Sequence, residues 1–204
     1  MIAPQPQLQA TLLTLIAGIA DAVGFITMGG VFAANMTGNT VLAGIALAEG
    51  HYPDAARHLA PLVAFFIGAM LARLLLRLWH KPVQPLLLEA LLIAGVGFLP
   101  IGIESAVLIV ALAMGLQASA ITHFGGNAIS TVVVTSTLAR TAEATLDRML
   151  PAEKRASPEV GAPSLLVFTW VGYLVGAVVG ALLLPVMPYP LLVPAALLLV
   201  VVVL

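Results

Sequence analysis

The sequence predicts an all-α fold: a polytopic transmembrane helix bundle of seven to eight segments with an internal two-fold repeat and broken half-helices after short extended stretches. Three observations carry this. Of 204 residues, 61% are hydrophobic and only 8% charged, about threefold poorer in charge than a water-facing domain. The mean hydropathy is +1.13. Apolar runs recur along the whole chain, at or near the length of roughly 20 residues that a bilayer crossing demands. A net charge of -1 offers nothing to nucleic acid, and the absence of cysteine removes thiol catalysis, disulfides and Cys-based zinc sites.

The runs fall at about 10–28, 31–48, 59–79, 86–103, 105–123, 128–147, 164–186 and 189–204. Gly29-Gly30 and Gly125-Gly126 break two of them with backbone freedom that no continuous helix uses. His51-Tyr52-Pro53-Asp54 reads as a polar turn, and Pro82 and Pro85 bracket another. Pro100 to Glu104 is a tight, mostly apolar turn, and residues 148–163 form the one hydrophilic loop. No basic segment precedes the first run, which itself contains Asp21, so it reads as a span rather than a cleaved signal. The last run is barely long enough to cross.

The second half of the chain echoes the first. Gly18-Ile19 falls on Gly115-Leu116, and Met36-Thr37-Gly38-Asn39 on Val134-Thr135-Ser136-Thr137. Farther on, Gly68 falls on Gly172, and Pro85-Leu86 on Pro190-Leu191. The matches keep their order, which predicts one membrane domain over 1–204 built from repeats at about 10–103 and 105–204. Such duplication around a midplane site is the recurring plan of secondary transporters. The charges then pose a puzzle. Arg73, Arg77 and Lys81 place the loop near residue 82 in the cytoplasm, and Arg140, Arg148, Lys154 and Arg155 ask the same of the loop near 155. Three full spans between them would separate the loops, so either one segment does not fully cross, the favoured reading, or the acidic residues of 143–159 mark a loop tolerated outside.

Two polar strings at membrane depth are the candidate substrate site: Asn35, Thr37, Asn39 and Thr40 in the first half, and Ser130, Thr131, Thr135 and Thr137 in the second. Each follows a Gly-Gly break and precedes a helical run. Ser130-Thr131-Val132-Val133-Val134 reads as extended, with Asn and Thr as N-caps for the helices. Such half-helix ends inside a membrane present free N–H groups to an anion or a polar solute. The competing reading is that these hydroxyls only bond back to the preceding turn and glue helices together. Asp21, near the middle of its run, is costly there and is the candidate coupling residue, with Gln117 as its near-mate in the other half. Arg140 is a secondary candidate beside Glu143; Arg73 and Arg77 read as snorkelling, Glu89 as interfacial, and His51, His58 and His80 as loop residues. Gly172, Gly176 and Gly180 form a small-residue face for close packing within the chain or in a homodimer.

Gly18-x-x-Asp21-Ala22, the string Asn35 to Thr40, and Ser130-Thr131-x-x-Val134-Thr135-x-Thr137-Leu138 together resemble the YoaK family. These are small multi-pass proteins of the bacterial inner membrane, filed as a domain of unknown function. The resemblance implies that location and architecture and no activity. A weaker similarity of plan, a short strand leading into a half-helix in each repeat, links the chain to uracil- and sulfate-permease types. The expected function is a small-solute secondary transporter for a small anion or neutral polar compound. Alternatives are a channel, a ligand sensor, or a structural subunit of the membrane. No hydrolase, Walker or dinucleotide motif is present, so no enzyme activity, cofactor or metal is expected, and the lipid bilayer is the expected partner.

Overall fold

The computed structural model describes residues 6–124, 127–128, 131, 134–149 and 163–204. It is helical almost throughout: α1 (Pro6–Thr27), α2 (Met36–Ala48), α3 (Tyr52–Trp79), α4 (Val83–Phe98), α5 (Ile103–Ala120), α6 (Val134–Met149), α7 (Pro163–Leu183) and α8 (Leu192–Val203). Two-residue strands β1 (His123–Phe124) and β2 (Asn127–Ala128) pair antiparallel between α5 and α6. Among the described residues, α1, α3, α5 and α7 are long and apolar enough to cross a membrane, with α2, α4 and α8 as shorter apolar helices. The chain is a multi-pass membrane protein.

Two boundaries depart from the hydropathy runs for physical reasons. α3 begins at Tyr52, through the polar turn, because Pro53 suits the first helical turn and Asp54 meets its positive end. His58 therefore lies on a helix, not in a loop. α2 begins only at Met36, because residues 31–35 are held away from helical geometry by bonds of Ala34 and Asn35 to Asp21 of α1 and of Phe32 to Asn39 of α2. The φ angles of +75° at Gly29 and Gly30 let the chain reverse after α1.

α1 and α5 are the buried centre, and α3 and α7 lie outside them with apolar faces exposed. α1 packs chiefly on α7 and also on α8, while α5 packs chiefly on α3 and also on α4; α2 lies on α3, α6 on α7, and α4 on α8. Glycine sets the closest approaches. A Cβ at Gly18 would overlap Tyr173 O and stand 2.8 Å from Ala177 N, and one at Gly176 would overlap Leu15 O. On the other side, a Cβ at Gly115 would overlap Phe65 O and stand 3.0 Å from Ala69 N, and one at Gly68 would overlap Leu112 O. The face of Gly172, Gly176 and Gly180 is thus covered by α1, against Thr11, Leu15 and Ile19 respectively. Of the two uses expected for that face, close packing within the chain is the one these contacts show.

Chain direction follows from the same contacts. Gly172, Gly176 and Gly180 meet Thr11, Leu15 and Ile19 in ascending order, so α1 and α7 run parallel. Gly29, just past α1, lies 3.6 Å (from its ideal Cβ position) from Arg57 Cδ, near the start of α3. Phe98, closing α4, lies against Tyr189, just before α8, with ring centroids 5.8 Å apart. The end of α4 therefore meets the start of α8.

Candidate functional site

Asp21 is nearly two turns before the end of α1, and the chain folds back to reach it. The N–H groups of Ala34 and Asn35 donate to its Oδ1 at 2.6 and 3.2 Å. Tyr173 of α7 donates its hydroxyl to Oδ2. One buried carboxyl thus ties α1, the loop before α2, and α7 together, which answers the cost of placing it there.

The start of α2 is tightly satisfied from within. Asn35 is its N-cap, its Oδ1 accepting from Gly38 N at 3.0 Å. Asn39 is fully buried: its Oδ1 accepts from Phe32 N at 2.9 Å and its Nδ2 donates to Phe32 O at 2.8 Å. Its side chain clamps the loop and, fully buried, is not part of the cavity lining. Thr40 donates to Met36 O at 2.8 Å, one turn back. Gly38 is needed because a Cβ would stand 2.8 Å from the Phe32 ring.

In the second half Gln117 is completely buried, donating through Nε2 to Leu13 O at 3.0 Å and to Thr131 Oγ1 at 3.3 Å. These two residues tie α5 to α1 and to the segment before α6. Ser130 lies outside the described residues, as does the side chain of Thr137. Arg140 is exposed on α6. Glu89, expected at the interface, is 0% exposed on α4, with neither carboxyl oxygen bonded among the described residues.

A cavity of about 660 Å³ joins the two polar strings. Asn35, Thr37 and Gly38 line it from the start of α2, and Thr135 from the start of α6. Its walls are aromatic: Phe65 of α3, Tyr173 of α7, and the stacked pair Phe25 and Phe32 with centroids 4.6 Å apart. Thr37 and Thr135 are exposed. The cavity thus offers hydroxyls, the Asn35 amide and ring faces. Among the described residues no ionisable side chain but Tyr173 lines it, and the Tyr173 hydroxyl is committed to Asp21. Three of the first α2 amides that would meet an anion are already bonded, Met36 N to Ala34 O, Gly38 N to Asn35 Oδ1, and Asn39 N to Asn35 O, which leaves Thr37 N. The sequence did not single out Tyr173; its one visible signal is a phenol amid the glycine-rich run of α7.

The family described as "Protein of unknown function (DUF1275)" matches residues 9–204. The chain is 32% identical over 185 residues to the UPF0700 transmembrane protein YoaK of Bacillus subtilis (strain 168), covering 84% of this chain and 81% of that relative. No solved structure matches.

Proposed function

We propose a transport function for this chain, which belongs to the DUF1275 family of proteins of unknown function. It acts as a secondary transporter, built from two inverted repeats, for a small uncharged polar solute bound in the cavity between α2 and α6. The repeat reading draws support from reciprocal packing. Gly18 meets Tyr173 and Ala177 as Gly115 meets Phe65 and Ala69, and Gly176 meets Leu15 as Gly68 meets Leu112. One step along the chain carries α1 onto α5, and one other carries α3 onto α7. The packing mate of Gly68 is then Gly176, one turn beyond the Gly172 that the sequence pairing suggests.

Inversion, rather than simple repetition, fits the chain directions. The end of α1 lies beside the start of α3, so α2 enters the membrane and leaves by the face it entered. Because α1 and α7 are parallel, α6 does the same from the opposite face. The end of α4 meets the start of α8, so these mates run in opposite directions. This arrangement also resolves the charge puzzle. Of the basic residues described, Arg73 and Arg77 lie near the end of α3, Lys81 just after it, and Arg140 and Arg148 on α6, which enters from that same face, while Arg57 lies at the other end of α3. The positive-inside rule makes that face cytoplasmic.

The observation that carries the functional reading is the cavity, lined by mates from both halves: Thr37 with Thr135, and Phe65 with Tyr173. Inverted repeats meeting at such a site are the usual basis of alternating access. Of the two solute classes expected, the uncharged one is favoured, because the α2 cap takes up the N–H groups of Met36, Gly38 and Asn39, and no basic side chain among the described residues lines the cavity. Asp21 couples the site to an ion, since its buried carboxyl bonds to cavity-lining groups of both halves, Asn35 and Tyr173. A thermal-shift screen of the purified chain against uncharged and anionic small compounds tests this. A ligand at a hundredfold its Kd adds about 2.7 kcal/mol to stability. We expect an uncharged polar compound to raise the melting point and Thr37→Val with Thr135→Val to abolish the rise. No response from any compound, or a response that survives both substitutions, overturns the reading.

A further inference from the structure

A second hollow, about 690 Å³, lies along the exposed face of α3 beside α5 and shares no lining residue with the solute cavity. It starts beside the close approach of the two helices at Gly68 and Gly115 and continues towards the basic end of α3. Phe66, Met70 and Leu74 make its apolar wall, all three exposed. Arg73 and Arg77, one turn apart, line it too, and Ser119 of α5 lies opposite. Neither arginine has an ion-pair partner among the described residues, and the Ser119 hydroxyl makes no hydrogen bond among them.

We propose that this hollow is a binding site for one anionic phospholipid of the leaflet on the basic side. An unpaired arginine pair is a fork for a phosphodiester, which it can hold through several N–H donors at once. Ser119 adds a hydrogen bond from the second helix, and the apolar wall receives an acyl chain. Snorkelling alone explains two arginines near a span end. It does not explain a hollow whose lining also takes in, from a second helix, a hydroxyl with no hydrogen bond among the described residues. The packing mates of these positions are Ala181 on α7 and Pro185 just past its end, which carry no charge, so the site belongs to one half only. Basic pockets between helices on the cytoplasmic side are where anionic headgroups bind. The site is independent of the transport reading and stands without it.

Native mass spectrometry of the detergent-purified full chain, mixed with phosphatidylglycerol or phosphatidylcholine, reads the occupancy directly. We expect phosphatidylglycerol to bind in preference to phosphatidylcholine. Arg73→Gln with Arg77→Gln should weaken it on the order of tenfold, Ser119→Ala by less, and Lys81→Gln, outside the hollow, not at all. Both arginines are exposed, and an unchanged melting point of the double variant in detergent verifies its fold. Equal binding of the two lipids, or by the double variant, overturns the proposal. So does an equal loss in Lys81→Gln, which would mark a general charge effect. Displacement of the lipid by millimolar inorganic phosphate would also overturn it, identifying a free-anion site instead.

Discussion

Replacing Tyr173 by Phe removes one hydroxyl and keeps the ring that lines the cavity. That hydroxyl is the donor to Asp21 Oδ2, while Oδ1 keeps its bonds from Ala34 and Asn35. A hydrogen bond to a charged group contributes about 1.5–3 kcal/mol, and removing the donor leaves a buried oxygen unsatisfied. Tyr173→Phe should therefore cost about 2 kcal/mol in reversible unfolding in mixed micelles. Asp21→Asn preserves shape: its oxygen still accepts from Ala34 and Asn35, and its amide can donate to the phenol oxygen. It should cost about 1–2 kcal/mol. Because both changes act on one bond, the double variant should lose less than the sum, by about 1 kcal/mol or more. Full additivity, or a Tyr173→Phe cost below about 0.5 kcal/mol, would refute the claim that this bond clamps α7 to α1.

Reciprocal packing predicts that Gly176→Ala and Gly68→Ala each cost about 1–3 kcal/mol, because both press a methyl onto a carbonyl of the facing helix; unfolding midpoints of the two variants measure this. Glu89→Leu should raise the melting temperature, since it removes a buried carboxyl without partners, by the equivalent of about 1–3 kcal/mol. In reconstituted vesicles, Asp21→Asn should retain solute binding while uptake loses its dependence on pH or sodium. Asn39→Leu should lower stability by about 2 kcal/mol or more, because it orphans both backbone groups of Phe32.

The membrane class and most helices are legible in the chain, because hydropathy and the Gly, Pro and Asn punctuation act locally. Asn35 as a cap is legible for the same reason: its bond reaches only to Gly38. Asp21 stands out by its cost in the bilayer, but its partner Tyr173 lies 152 residues away. No local pattern supplies the register between α1 and α7. Asn39 and Thr37 look alike as polar residues of one string, yet one clamps the backbone and the other faces the cavity. That difference depends on where Phe32 folds back. Glu89 was misread because charge near a run boundary usually means an interface, whereas here α4 packs that turn inward. The hydropathy run over 31–48 hides the break at Asn35, since the folded-back loop is as apolar as the helix it precedes.

The inverted arrangement stands or falls on α2. The chain contains no cysteine, so a single introduced thiol is the only target for a membrane-impermeant maleimide. Thr27→Cys marks the end of α1, Glu49→Cys the end of α2, and Lys81→Cys the turn after α3. In intact cells and in inverted vesicles, Thr27→Cys and Glu49→Cys should label from the same face and Lys81→Cys from the other. Labelling of Thr27→Cys and Glu49→Cys from opposite faces would mean that α2 crosses the membrane, and would contradict the two inverted halves and the shared cavity between them.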